Sequence, residues 1–254
     1  MFLDRRSKKI LKQISNKKPI VHFITNYVTC NACANITLAV GGSPIMADEI
    51  DEMEEMVSIA NALVINIGTI NKRTFQSMLM AGKKANQLNI PVILDPCGVG
   101  ATTFRNQAIK EILSSIKVSV IKGNYGEIAT IYKMLGLDKM QEEVKSQGVD
   151  NNFKGKLNDI LAISKLLAKH LNCVVCATGK IDITTDGNSV LQCRYGNKIM
   201  SKITGCGCML NGIVACCCAI DKNYLQATHN ACCLFGKNYK RLLGSYLKMA
   251  KVYY

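Results

Sequence analysis

Short apolar runs alternate with amphipathic stretches along most of the chain. Ile10, Leu11 and Ile14 recur at helical spacing within residues 4 to 16, a helix that ends near Pro19. Ile20 to Ile24 then reads as a first buried strand. It leads through Thr25 and Asn26 to a helix carrying Val28, Ala32, Asn35, Ile36 and Ala39. Gly41 and Gly42 break that helix before the short apolar piece Ser43-Pro44-Ile45-Met46, and an acidic helix opens across Asp48 to Ala60. The next strands are Ala62 to Ile67, Pro91 to Leu94 and Val118 to Ile121, separated by a long helix with Phe75, Met78, Leu79, Gly82 and Ala85 and by a second glycine loop and helix after Gly98. Asp138 to Lys156 is polar and reads as a loop or weak helix without assignable chemistry. After a helix over Leu157 to His170 and a strand over Cys173 to Ala177, Ile181 to Thr185 and Ser189 to Cys193 flank the turn Asp186-Gly187-Asn188, a hairpin signal. Strands alternating with helices predict an α/β fold, with a mainly parallel sheet covered on both faces and an antiparallel hairpin near one edge. With no repeat or linker in 254 residues, a single domain over 1–254 is expected.

Composition changes this picture little. No apolar run approaches the ~20 residues of a membrane span, and the start lacks a secretory signal, so a cytoplasmic protein is expected. Thirteen cysteines would suggest a disulfide scaffold in a small secreted chain, but here they fall in apolar segments such as VACCCAI and read as buried thiols. The pairs Cys30/Cys33 and Cys173/Cys176 invite a zinc reading. Zinc-ribbon pairs lie about 15–20 residues apart, whereas these are separated by more than half the chain, and strand residues three apart point to opposite faces. A formal charge of +14, from 32 basic and 18 acidic residues, allows a nucleic-acid binder. Its lysines are dispersed, however, and aromatics make up only 6%, without a stacking array.

Candidate chemistry concentrates at loops that end strands or begin helices. Lys202 to Val214 reads as a loop turning into a helix. Gly205 and Gly207 let the backbone approach a ligand, and unpaired N–H groups with the dipole suit a transferring phosphoryl group. Cys208 sits where its thiol reaches whatever accepts that group. Asp95, at a strand end before Pro96, suits a metal or general-base role, while Lys122-Gly123-Asn124-Tyr125-Gly126-Glu127 pairs a cation with a carboxylate, the ingredients of a phosphate and magnesium contact. His22, inside a strand, reads as a core histidine.

Taken together, Ile24 to Val28, Gly42 to Ala47, Asn66 to Thr69, Leu94-Asp95-Pro96, Gly98 to Thr102, Gly123-Asn124, Thr178-Gly179 and Thr204 to Cys208 resemble the hydroxyethylthiazole kinase family, in the family's order, over about residues 18 to 250. The resemblance implies a ribokinase-like three-layer αβα sandwich. It implies ATP-dependent phosphorylation of 4-methyl-5-(2-hydroxyethyl)thiazole with Mg2+, in thiamine salvage, by a homotrimer that shares its active sites. Asn26, Met46, Gly68 and Gly205 would then line the thiazole site, with Cys208 nearest the hydroxyl. Lys122 and Thr178 would contact ATP, and Asp95 and Glu127 would organise the metal. The chain departs from the family pattern at Lys122, where arginine is usual, and at Cys206, where a small non-thiol residue is usual. A ribokinase-like kinase for another small alcohol, such as a hydroxymethylpyrimidine, would normally present an aspartate at the Cys208 position.

Overall fold

The computed structural model describes residues 4–138, 157–196, 200 and 203–251, with 240–251 as backbone alone. Lys202 and residues 139–156 of the polar stretch lie outside the described residues. Eight strands form one sheet in the order β2-β1-β3-β4-β5-β6-β7-β8: β1 (Ile20–Ile24), β2 (Ser43–Ile45), β3 (Ala62–Asn66), β4 (Val92–Asp95), β5 (Val120–Asn124), β6 (Val174–Thr178), β7 (Asp182–Thr185) and β8 (Val190–Cys193). The first six are parallel, and β7 and β8 add an antiparallel hairpin at one edge.

Alternation along the strands divides the core in two. Leu63, Ile65, Val92, Leu94, Ile121 and Val175 face one layer, built by α3 (Met53–Ser58), α4 (Lys72–Gln87), α5 (Thr103–Ser115), α6 (Tyr125–Met134) and α7 (Leu157–Leu171). Ala62, Val64, Ile93, Val120 and Val174 face the other, built by α1 (Arg5–Lys17), α2 (Cys30–Val40), α8 (Cys206–Ile220) and α9 (Tyr224–Lys251). This is the expected three-layer sandwich, covered on both faces because each parallel crossover returns over the sheet as a helix. Cys173, just before β6, belongs to the first layer and Cys176, within it, to the second, so these thiols do lie on opposite faces.

Local chemistry sets the element ends. Asp4 caps α1 by accepting from Ser7 N at 2.8 Å, and Asn71 closes a capping box with Thr74 on α4. Pro44 is confined to β2, an edge strand, where a missing N–H is tolerated. Val28, expected within a helix, instead precedes α2 and is 70% exposed. His22 is buried in β1, its Nε2 bonded to Ala47 O at 2.8 Å and its Nδ1 without a partner; burial depresses its pKa and keeps it neutral. The helices after β1 and β3 lie on opposite faces, so the carboxyl ends of these adjacent strands open a crevice.

Candidate active site

Two asparagines span that crevice. Asn26, just beyond β1, accepts at Oδ1 from Thr29 N (3.0 Å) and Thr29 Oγ1 (2.9 Å). Its amide nitrogen is thereby turned to donate to Asn66 Oδ1 (3.0 Å) and to Cys208 Sγ (3.3 Å). Asn66, the last residue of β3, also accepts from Gly68 N (2.8 Å), which directs its own amide nitrogen to Cys208 Sγ at 3.4 Å. Two fixed donors therefore converge on one sulfur. A Cβ at Gly68 would lie 2.9 Å from both Asn26 Cβ and Asn66 Oδ1, so a side chain there would break the bridge.

Cys208 is the third residue of α8, whose start depends on Gly205 in the left-handed region at φ 80°. A Cβ at Gly205 would run into the Thr29 side chain. The Gly207 and Cys208 N–H groups fall in the first helical turn, where no partner four residues back exists within the helix. A hydrogen bond from Cys97 does most to hold the Cys208 thiol below its ordinary pKa, with Lys122 and Thr29 assisting, while burial and the Asp95 charge oppose. Cys97 is correspondingly raised, so of this pair Cys208 is the more readily ionised.

The charged groups sit one strand over. Asp95, the last residue of β4 and register partner of Asn66, accepts at Oδ2 from Lys122 Nζ (3.0 Å) and from Asn211 Nδ2 (2.6 Å). Lys122 is buried on β5 and also donates to Gly207 O at 2.9 Å. Burial disfavours its charge, but Asp95 and Cys208 outweigh burial and lift its pKa above the usual ammonium value. Glu127 accepts from Gly98 N (3.0 Å) and Asn124 N (2.7 Å), the latter within a capping box at the start of α6. Burial first, and then the Asp95 charge, raise its carboxyl pKa. The Asp95 and Glu127 carboxylates are the hard oxygen donors a magnesium ion takes, and a dication beside them would favour the charged form of Glu127. The residues present therefore fit the metal.

Asn26, Gly68, Gly205, Cys208, Asp95 and Lys122 thus gather in one cluster, and Glu127 adjoins it through charge and the Gly98 loop. Thr178 ends β6 opposite Asn124 and donates to Gly123 O at 3.2 Å, one strand farther out. Met46 follows edge strand β2 on the far side of β1, half-buried against the same apolar layer that holds Cys208. Sequence reasoning gave no role to Thr29, Asn66, Cys97, Arg105 or Asn211. Asn211 carried a readable signal, being polar within the apolar run of α8 and one turn past Cys208 on the same side. Arg105 carried little, yet its guanidinium donates to Ile67 O (2.6 Å), Cys97 O (2.8 Å) and Gly68 O (2.7 Å), tying together the loops that end β3 and β4.

The three-layer sandwich has a ribokinase-like fold, with the helix start, Cys208 and two carboxylates at the carboxyl edge of its sheet. Pyridoxal kinase of Bacillus subtilis shares the fold, with a TM-score of 0.57 at 13% identity over 84% of this chain and 87% of that one. A family description of hydroxyethylthiazole kinase matches residues 11–244, and the chain belongs to the hydroxyethylthiazole kinase family. The hydroxyethylthiazole kinase of Alkaliphilus oremlandii is 53% identical over 217 residues, 85% of this chain and 77% of that relative. The structure of the hydroxyethylthiazole kinase protein from Pyrococcus horikoshii superposes with a TM-score of 0.79 at 34% identity, covering 94% of this chain and 87% of that one.

Proposed function

We propose that this protein transfers the γ-phosphoryl group of ATP to the hydroxyl of 4-methyl-5-(2-hydroxyethyl)thiazole, a salvage step for thiamine synthesis. Family membership supports the reaction. The observation that carries the chemistry is the Cys208 sulfur, held by two amide donors at the open start of α8. Phosphoryl transfer asks chiefly for in-line positioning and charge neutralisation, with a modest contribution from a base. Cys208 accepts or hydrogen-bonds the alcohol proton, which brings the nucleophilic oxygen beside the first turn of α8. The Gly207 and Cys208 N–H groups then meet the oxygens of the transferring group. Asn26, Asn66 and Thr29 close directly against Gly68 and Gly205, so only glycine fits at either position, and the bare backbone there can come close to the flat thiazole ring.

Lys122 brings a positive charge to the phosphate end, and Thr178 at the end of β6 marks the side from which the nucleotide enters. Asp95 and Glu127 would hold Mg2+ directly or through its waters, and the bound ion would neutralise charge on the phosphates. The assembly is a symmetric trimer in which a neighbouring subunit completes the thiazole pocket. Exposed Tyr27 and Val28, next to Asn26, are the apolar surface that supports this reading, and Met46 reaches a site through the same contact. The deciding assay offers ATP, magnesium and a panel of small alcohols to purified protein. ADP and a phosphomonoester are expected with hydroxyethylthiazole, and turnover confined to a hydroxymethylpyrimidine overturns the assignment.

A further inference from the structure

A second group of reactive side chains lies where α9 packs over β7 and β8. Cys193, the last residue of β8, is buried and faces Cys233 of α9, which packs on that strand. One turn back on α9, His229 Nε2 lies 3.4 Å from Cys233 Sγ, while His229 Nδ1 is buried without a partner. One turn forward, Lys237 adds positive charge, its ammonium 2.8 Å from Asp4 Oδ2 and 4.1 Å from the centre of the Tyr195 ring. Asp182 pairs with Cys193 in the hairpin register and completes the surroundings; burial, and then the Cys233 charge, push its carboxyl pKa up to about 6.

Three of the thirteen thiols are half-exposed, and they differ in character. Cys30 and Cys97 are raised, Cys30 chiefly by burial and Cys97 chiefly by its bond to Cys208. Cys233 is lowered, first by the bond from Cys193 and then by His229. Cys176 and Cys232, 3.6 Å apart, are sealed in the core beside it. Among the described residues no group of three or more histidine, cysteine and carboxylate side chains is placed to hold a metal ion, so the chemistry of this cluster is that of its thiols.

We propose that Cys233 and Cys193 form an oxidisable dithiol, a modification site at which hydrogen peroxide converts Cys233 to a sulfenic acid and Cys193 closes it to a disulfide. In the first step the Cys233 sulfur attacks peroxide, an S–O bond forms as the O–O bond breaks, and the leaving hydroxide takes up the thiol proton as water. Sulfur loses two electrons and the peroxide gains them. In the second step the Cys193 sulfur attacks the sulfenic sulfur, the S–S bond forms as the S–O bond breaks, and the Cys193 proton leaves with the hydroxide as a second water. The His229 ring, 3.4 Å from Cys233 Sγ, holds that sulfur in place for both steps. Asp182 also accepts from Gly179 N at 3.1 Å, next to Thr178, so closing the disulfide shifts the turn at the nucleotide end. This last consequence rests on the kinase reading; the dithiol does not.

The chemical test uses the intact wild-type chain. At neutral pH, iodoacetamide should label Cys233 on the order of tenfold faster than Cys30 or Cys97, because an ordinary thiol is only a few per cent thiolate there. Mass spectrometry after an equivalent of hydrogen peroxide should find the peptide bearing Cys193 joined to that bearing Cys233. In Cys193→Ser, Cys233 should stop as a dimedone-trappable sulfenic acid. Cys233 labelling no faster than Cys30, or peroxide first joining any other pair, overturns the proposal. The coupling is read as binding of a non-hydrolysable ATP analogue, expected to weaken severalfold on oxidation and to be unchanged by peroxide in Cys233→Ser. Reduced protein that never binds the analogue counts against the kinase reading and leaves the crosslink result standing, whereas equal affinity before and after crosslinking removes the coupling.

Discussion

The surroundings of the Cys208 sulfur come from four separate stretches of chain: Asn26 after β1 and Asn66 at the end of β3 donate to it, while Cys97 after β4 and Lys122 on β5 favour its ionised form. The first turn of α8 was legible in the sequence as a place that favours a thiolate. The stronger influence of Cys97 was not, because nothing local links residues 97 and 208. If this thiolate accepts the alcohol proton, Cys208→Ala should lower kcat by on the order of 10²-fold or less, since the helix-start donors and carboxylates remain. Cys208→Asp should retain activity. The pH profile carries the sign: a base works when deprotonated, so kcat falls on the acid side as pH drops through the lowered Cys208 pKa, below the ordinary ~8.5 of a free thiol. That limb should vanish in Cys208→Ala and move to lower pH in Cys208→Asp. An unchanged profile in the alanine variant would reduce Cys208 to packing. Lys122 gives a second residue-scale expectation. The ammonium is already engaged by Asp95 and Gly207 O, whereas a planar fork could keep Asp95 and still offer a second N–H to phosphate. Lys122→Arg should therefore tighten ATP binding in titration and leave thiazole affinity alone, and the reverse pattern would mean that Lys122 serves the other substrate.

Elements were the most legible scale, because hydrophobic periodicity decides them and needs no partner from elsewhere in the chain. β1 and the β7–β8 hairpin fall where the pattern put them. Val28 misled because a lone apolar residue at helical spacing looks the same whether it begins a helix or lies exposed before one. What periodicity cannot carry is the cross-linking of loops, and Arg105 is the main instance. From α5 it donates to three backbone carbonyls in the loops that hold Gly68 and Cys97, bonds that no spacing rule announces. Arg105→Ala leaves those carbonyls without their charged donor, at a cost of about 1–3 kcal/mol in denaturant unfolding. It should also lower kcat/KM by on the order of 10-fold or more, as Asn66 and Cys97 lose their registration with Cys208. Arg105→Lys should recover the stability in part but little of the activity, since one ammonium cannot reach both loops as a fork does. Full activity in Arg105→Ala would show that the two loops hold their places without the clamp.

At the scale of the whole molecule, the crevice between β1 and β3 opens at the surface beside apolar side chains. Tyr27 is 57% and Val28 70% exposed, and Leu38 on α2 is 50% exposed. On the trimeric reading proposed above, a second subunit would bury these side chains and close the crevice against water. A symmetric ring follows if the same patch meets a different surface of the next copy and the rotation closes, which is the geometry of a trimer. Activity would then depend on protein concentration, because the complete pocket exists only in the assembly. Specific activity should fall on dilution through the dissociation constant, in step with the loss of the trimer in light scattering, and saturating thiazole should shift both curves to lower protein concentration. Val28→Lys places a solvated charge on the patch without touching Asn26 or Cys208, so it should move the dilution midpoint upward and leave activity at high concentration near that of the parent chain. A monomer that scatters as a single chain and turns over at full rate would separate the apolar patch from the site.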